Sequence, residues 1–122
     1  MSNRVIYFEI PSANPQANRQ FYEQAFGWNF QQWGGQDYWF ANTGKDAERG
    51  INGALIKEKG PQQTVINTIA VADIDAAMAK IKGAGGTIIQ PKKAIPAVGW
   101  MAFFTDPDDN LFSILQEDKN AA

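Results

Sequence analysis

The side chains that could do chemistry in this sequence are restricted, because its 122 residues include no histidine and no cysteine. A Ser–His or Cys–His catalytic pair is therefore excluded within this chain, as is a metal site with imidazole or thiolate ligands. A general acid or base would have to be a carboxylate, a lysine or a tyrosine, and a metal ion would need oxygen ligands.

Tyr7 and Glu9 lie two residues apart in the first apolar run, residues 5–10. Successive side chains of a strand point to opposite faces, so this run places Val5, Tyr7 and Glu9 on one face. Glu9 could act as a general base, contact a substrate or serve as an oxygen ligand. The alternative is an ion-paired or solvated carboxylate at the mouth of a cavity. Tyr7 and Glu9 are the candidate catalytic residues.

Aromatic side chains are the second candidate group, since the chain has 4 Trp, 3 Tyr and 8 Phe. Several of them fall on or beside predicted strands, where they could stack on a planar or apolar ligand. The alternative is that they belong to the core or to a dimer interface. The candidate ligand-binding aromatics are Trp28, Trp33, Tyr38, Phe40, Trp100 and Phe104.

The charged residues argue against several other functions. A net charge of −2 and a pI near 5.0 do not give the basic patch that nucleic acid requires. Lys92 and Lys93 are interpreted as solvated loop charges, with contact to an anionic substrate as the alternative. The run DPDDN at residues 106–110 predicts a tight turn, because it lacks the longer loop and distal glutamate of a calcium-binding hand.

No segment resembles a targeting or membrane-spanning sequence. The first residues lack the apolar stretch of a secretory signal, and no run approaches the roughly 18 apolar residues of a membrane helix. We therefore expect a cytoplasmic location and no membrane partner.

The helices and strands that position these residues are predicted from apolar runs and from the residues that begin and end helices. Asn14-Pro15 reads as a helix start and Gly27 as a helix stop, and Asp73 and Gly85-Gly86 do the same later. A linker is expected at residues 58–63, a loop at residues 91–98 and a frayed tail at residues 117–122. The predicted helices are residues 15–26 and 74–84, and the predicted strands are residues 5–10, 28–33, 37–41, 51–57, 64–71, 87–90, 99–105 and 111–116.

The chain repeats itself. A shift of 59 residues places Ile10 on Ile69 and Gly27 on Gly86 without a gap, and Asn14 then falls on Asp73. The order β-α-β-β-β therefore occurs twice, which predicts an α+β fold. We expect a single domain over residues 1–122, with module one at about 4–58 and module two at about 63–117.

Four phrases in this order resemble the vicinal oxygen chelate superfamily of glyoxalases, bleomycin-resistance proteins and extradiol dioxygenases. They are FEIP at residues 8–11, FYEQAFGW at 21–28, ADIDAAMAKIKGAGG at 72–86 and FTDPDDN at 104–110. The resemblance covers residues 4–116. It implies two tandem βαβββ modules that form a half-open, cup-like mixed β-sheet barrel with helices outside, and it implies a homodimer.

The resemblance also implies four positions at which metal-dependent relatives carry side-chain ligands. Here these positions are Tyr7, Ile66, Ser113 and, where the alignment is loose, Gly53 or Ala54. Phenol, hydroxyl and apolar groups cannot replace the hydration shell of a divalent ion. We therefore expect no divalent metal cofactor.

Two classes of function remain open. The first is a protein that binds a small organic molecule in an aromatic cup, and the second is a lyase, isomerase or dioxygenase with an atypical active site. The expected ligand-binding residues add Tyr7, Glu9, Ile66, Thr68 and Ser113 to the six aromatics above.

Overall fold

The computed structural model describes residues 3–57 and 64–122. The linker predicted at residues 58–63 lies outside these residues. The chain divides into two compact units, which we call the N-terminal unit, Tyr7–Val65, and the C-terminal unit, Met1–Ile6 with Ile66–Ala122. No helix among the described residues is long and apolar enough to span a bilayer.

The order of elements confirms the predicted α+β fold with two βαβββ modules. The first module contains β1 (Val5–Ser12), α1 (Pro15–Phe26), β2 (Asn29–Gln32), β3 (Tyr38–Asn42) and β4 (Gly53–Lys57). The second contains β5 (Ile66–Ala70), α2 (Ile74–Gly83), β6 (Thr87–Ile95), β7 (Gly99–Thr105) and β8 (Leu111–Glu117).

The N-terminal unit orders its strands β2-β3-β4-β1, with β1 and β4 parallel and the other pairs antiparallel. The predicted helix signals act as expected. The Asn14 side chain accepts a hydrogen bond from the Ala17 N–H at 3.2 Å, and Gly27 ends α1 in the left-handed region at φ 72°.

The C-terminal unit repeats this topology as β5-β8-β7-β6, with β5 and β8 parallel. Its core is a buried cluster of Val71, Ile74, Ala102 and Ile114, against which the apolar side of α2 packs. Glu9 pairs with Ala54, and 59 residues later Thr68 pairs with Ser113. The repeat therefore extends to strand register and identifies Ala54 as the counterpart of Ser113.

The prediction for β6 was too short. The strand runs from Thr87 to Ile95 and so takes residues 91–95 of the expected loop at 91–98, while residues 96–98 form a turn. Its register with β7 shifts twice. The sequence did not indicate the full strand, because Pro91 is a residue that is rare inside strands. Proline is tolerated here because β6 is the last strand in the order of its unit, where a ladder donor is dispensable.

The prediction of a frayed C-terminal tail was wrong. The Asp118 N–H donates to the Val98 carbonyl at 3.0 Å, and the Ala97 N–H donates to the Ala121 carbonyl at 3.1 Å. Ala121 is only 4% exposed. The tail is held because it satisfies the backbone groups of the turn between β6 and β7.

The turn predicted at residues 106–110 is confirmed. Asp106 Oδ1 accepts hydrogen bonds from the N–H groups of Asp108 and Asn110, both at 2.9 Å. Hydrogen bonds from the Asn110 side chain, together with these backbone bonds, hold the pKa of the Asp106 carboxyl below its usual value. The acidic run thus organises its own backbone.

Candidate functional site

The N-terminal sheet has one face that packs against α1 and one that does not. Trp28 stacks on Tyr22 of α1 at 4.8 Å and contacts Phe8 at 5.9 Å, while Arg19 of α1 lies over the Trp39 ring. Phe8 and Trp39 therefore mark the helix-covered face. The opposite, open face carries the side chains that alternate with them, because alternation is obligatory in a strand.

Strand register gathers the predicted residues on this open face. Glu9 pairs with Ala54, which in turn pairs with Phe40, so Glu9 and Phe40 lie on one face of neighbouring strands. Tyr38 shares that face with Phe40, and Tyr7 shares it with Glu9. The exposed fraction of Ala54 is 0%, and its small side chain lies between the two strands that carry the polar groups.

Tyr7, Tyr38 and Glu9 form a hydrogen-bonded chain, which we call the tyrosine–glutamate chain. The two phenol oxygens are 2.7 Å apart, and the Tyr38 hydroxyl donates to Glu9 Oε2 at 3.3 Å. Since the Tyr38 proton is directed to Glu9, Tyr38 accepts from Tyr7. The oxygen of Tyr7 then keeps acceptor capacity for a further partner.

The electrostatics of this chain favour neutral phenols. Burial raises the pKa of Tyr7 to about 12; the hydrogen bond with Tyr38 opposes this rise and the negative charge of Glu9 adds to it. Burial also raises the pKa of Tyr38 well above its ordinary value, helped by its hydrogen bond with Tyr7. Both tyrosines therefore remain protonated near neutral pH and act as hydrogen-bonding groups.

Two exposed aromatic side chains lie beside the tyrosine–glutamate chain. Trp33 and Phe40 each lie edge-on or tilted against Tyr38 and against one another, with ring centroids 5.2–5.6 Å apart. Trp33 is 37% exposed and Phe40 is 40% exposed. A polar chain beside an accessible aromatic surface is the arrangement expected where an organic ligand is both buried and oriented.

Trp28 does not join this group. It lies on the helix-covered face, where its ring stacks on Tyr22 and is tilted against Phe8. Its packing accounts for its position without a ligand, although ligand contact stays a prediction for this residue.

In the C-terminal unit, three predicted residues share the face opposite α2. Thr68 pairs with Ser113, their hydroxyl oxygens are 2.7 Å apart, and both side chains have an exposed fraction of 0%. Ile66 lies two residues before Thr68 and therefore shares its face. The two hydroxyls satisfy one another, which removes the cost of burying them unpaired.

Trp100 and Phe104 lie on the other face, against the core cluster beneath α2. Trp100 donates its indole N–H to Asp118 Oδ2 at 3.2 Å, and Lys92 Nζ lies 5.0 Å from the ring centroid. The structure thus separates these two aromatics from Thr68 and Ser113. Ligand contact by them remains a prediction.

Concave regions among the described residues also escaped the sequence reasoning. One, of about 210 Å³, lies in the polar loop after β3 and is lined by residues including Thr43, Lys45 and Arg49. The other, of about 130 Å³, lies on the open face of the C-terminal sheet and is lined by Gln90, Lys93, Ile95, Met101 and Phe103. The second one lies along the part of β6 whose register with β7 is irregular, and no sequence signal marks it.

The residues present do not fit the divalent metal that the family resemblance implies. With Ala54 fixed as the fourth position, the donor set is Tyr7, Ile66, Ser113 and Ala54, which supplies only a phenol and a hydroxyl, the latter already bonded to Thr68. Across residues 3–57 and 64–122, no three His, Cys, Asp or Glu side chains are grouped so that they could hold a metal ion. A divalent ion in this fold would require carboxylate or imidazole ligands that these positions lack.

Two tandem βαβββ modules with one helix each define a protein with a glyoxalase-like fold. The sequence profile described as "Glyoxalase/Bleomycin resistance protein/Dioxygenase superfamily" matches residues 4–114. The chain therefore belongs to this superfamily, which confirms the resemblance seen in its sequence phrases.

Curated relatives agree with this assignment. The protein named "Putative glyoxylase CFP32" is 28% identical over 121 residues in both Mycobacterium bovis and Mycobacterium tuberculosis. The match covers 93% of this chain and 46% of those proteins, so the chain spans about half their length.

Two solved structures share the fold at low identity. The hypothetical protein BH1468 from Bacillus halodurans C-125 is 13% identical with a TM-score of 0.70, and the match covers 100% of this chain and 99% of that one. A glyoxalase/bleomycin resistance protein/dioxygenase superfamily member from Vibrio splendidus 12B01 is 16% identical with a TM-score of 0.67, covering 93% and 98%.

Proposed function

We propose that this protein binds a small organic molecule on the open face of the N-terminal sheet, without the divalent metal used by metal-dependent relatives. The observation that carries the proposal is the tyrosine–glutamate chain beside the exposed rings of Trp33 and Phe40. The cytoplasmic location expected from the sequence stays a prediction beside it.

The direction of the hydrogen bonds selects the kind of polar group on the ligand. Tyr38 donates to Glu9 and accepts from Tyr7, so the open end of the chain is the acceptor oxygen of Tyr7. A ligand N–H or O–H group satisfies that oxygen, whereas a carbonyl in the same place does not. The proposed ligand therefore combines a hydrogen-bond donor with a planar or apolar body.

The two parts of the site contribute in different ways. Burial of apolar ligand area against Trp33 and Phe40 supplies affinity, at about 25 cal/mol per Å². The tyrosine–glutamate chain supplies selectivity, because a buried polar group left without a partner costs about 1–3 kcal/mol.

Two substitutions within the tyrosine–glutamate chain test this division. After a thermal-shift screen identifies a ligand, calorimetry on Tyr7→Phe and Glu9→Gln should show affinity changes of roughly 5- to 10-fold, since about 1 kcal/mol or more is involved. Tyr22→Phe is the matched control, because it removes the same group from a tyrosine of α1, which packs on the other face of the sheet. Unchanged affinity in both site variants would show that the ligand binds elsewhere.

The tyrosine–glutamate chain also supports a second candidate function, that of a lyase, isomerase or dioxygenase with Tyr7 and Glu9 as its acid–base groups. Tyr38 is hydrogen-bonded to both Tyr7 and Glu9, and such a connection can pass a proton from one group to the next, although the raised pKa of Tyr7 makes it a weak acid near neutral pH.

The metal content of the purified protein distinguishes a metal-dependent enzyme of this second class from a protein that only binds its ligand. We expect elemental analysis of the dialysed protein to find far less than one Ni, Zn, Fe or Mn ion per chain, because the donor set does not fit such ions. About one ion per chain would contradict the proposal and favour a metal-dependent enzyme.

A further inference from the structure

Two adjacent lysines in β6 lie on different faces of the C-terminal sheet. Lys92 forms an ion pair with Asp75 at 3.1 Å and lies over the Trp100 ring, on the side of α2. Lys93 pairs in register with Met101 and lines the cavity on the opposite face. The sequence Lys92-Lys93 therefore places one neutralised cation and one further cation on opposite sides of a single strand.

The irregular register of β6 places Lys93 on the face opposite α2. Gln90 pairs with Phe103 and Lys93 with Met101, so three steps along β6 match two along β7. The extra residue restores Lys93 to the face that carries Gln90, whereas strict alternation would place them on opposite faces. Such irregularities re-aim side chains and are frequent beside functional sites.

The cavity beside Lys93 has an apolar floor and a polar rim. Ile95, Met101 and Phe103 are half-buried within it, and Gln90 and Lys93 are the exposed side chains at its edge. Within residues 3–57 and 64–122, no carboxylate forms an ion pair with Lys93. Among these described residues, the cation that lines the cavity therefore has no carboxylate within ion-pair distance.

We propose that this cavity, which we call the Lys93 cavity, binds the anionic group of a small organic carboxylate whose apolar body lies on Met101 and Phe103. Lys93 supplies the positive charge and the Gln90 amide can donate a further hydrogen bond to the carboxylate. The volume of about 130 Å³ suits one ring or a short chain, since an apolar cavity of about 150 Å³ accepts benzene.

This site shares no residue with the tyrosine–glutamate chain. It adds a ligand class through residues of the C-terminal unit alone, and either proposal can fail while the other stands. The ligand-donor test on Tyr7 and the carboxylate test on Lys93 therefore report on different side chains.

Benzoate is a suitable probe, and benzamide is its neutral counterpart of nearly the same shape. The methyl signals of methionine provide the readout, because Met101 lines the cavity whereas Met78 packs against the core cluster. We expect benzoate to shift the Met101 methyl resonance saturably and Met78 to stay in place. Benzamide should bind at least about fivefold more weakly, the size of a partly exposed ion pair.

The neighbouring lysines give a matched pair of variants. Lys93→Met should weaken benzoate binding by about fivefold, whereas Lys92→Met, with the same change in net charge, should leave it unaltered. An unchanged Met78 signal shows that each variant is folded, and Lys93→Gln replaces Lys93→Met where it is not.

Three results would overturn the proposal. They are the absence of a saturable Met101 shift, equal affinity for benzoate and benzamide, and equal losses in the Lys92 and Lys93 variants, which would indicate only a general effect of charge.

Discussion

The tyrosine–glutamate chain shows how three ordinary side chains become a directed unit. Glu9 accepts from Tyr38, and this fixes Tyr38 as the acceptor for Tyr7. Burial and the nearby negative charge raise the pKa of Tyr7 to about 12, so the order of protons holds near neutral pH. The three side chains thus present a defined acceptor, whereas solvated phenols would rotate freely.

This raised pKa predicts a loss of stability at alkaline pH. Tyr7 titrates near 12 in the folded protein and near 10 in the unfolded chain, so between these values the folded state binds more protons. The free energy of unfolding should therefore fall as the pH rises from about 10 toward 12. Urea unfolding across that range should show a shallower fall in Tyr7→Phe than in the wild type.

The remaining fall in Tyr7→Phe would come in part from Tyr38, whose pKa is also raised by burial. Tyr22→Phe is again the matched control, since it removes a hydroxyl outside the tyrosine–glutamate chain. Equal flattening in Tyr22→Phe and Tyr7→Phe would contradict the assignment to Tyr7.

Residue patterns predicted part of this site. The alternation of residues 5–10 places Tyr7 and Glu9 on one face, and the structure brings them together through Tyr38. The role of Tyr38 depends on the pairing of β3 with β4 and of β4 with β1. Pairing between distant strands leaves no local trace in the sequence, which is why Tyr38 could be named only as one of six aromatics.

At the scale of elements, helix boundaries were more predictable than strand boundaries. Caps are local, and the Asn14 and Asp73 side chains accept the first-turn N–H bonds that their types predict. The length of β6 was not predictable, because Pro91 usually ends a strand and only the pairing with β7 extends it. The Lys93 cavity was missed for the same reason.

We expect glycine-to-alanine substitutions at two positions in these elements to change the free energy of unfolding in opposite directions. A Cβ atom at Gly53, the first residue of β4, would lie 2.7 Å from the Phe8 ring and still closer to the Phe8 carbonyl. We expect Gly53→Ala to lower the free energy of unfolding by about 1–3 kcal/mol, because β1 and β4 would have to separate.

Gly83 in the last turn of α2 is the matched position. A Cβ atom there meets nothing within 4 Å, so Gly83→Ala should raise the free energy of unfolding by up to about 1 kcal/mol. Urea denaturation of the two variants measures both changes. A mild effect in Gly53→Ala would show that β1 moves aside easily.

At the scale of the whole chain, the 59-residue repeat was the strongest predictor. It anticipated the second βαβββ module, and the register pairs Glu9–Ala54 and Thr68–Ser113 follow the same shift. The repeat could not predict the divergence of the two open faces. One carries the tyrosine–glutamate chain, and the other carries a satisfied hydroxyl pair and the Lys93 cavity.

Assembly is the remaining property of the whole chain, and we expect a two-fold homodimer. Phe21 and Phe26 of α1 contact each other at 6.4 Å, yet they are 54% and 64% exposed. Exposed aromatic pairs of this kind favour association, and two-fold dimers are the commonest closed assembly. Sedimentation equilibrium at micromolar concentration should therefore give twice the 13.5 kDa mass of the chain. Replacing both phenylalanines with serine tests whether this surface contributes, and a wild-type mass equal to that of one chain would refute the dimer.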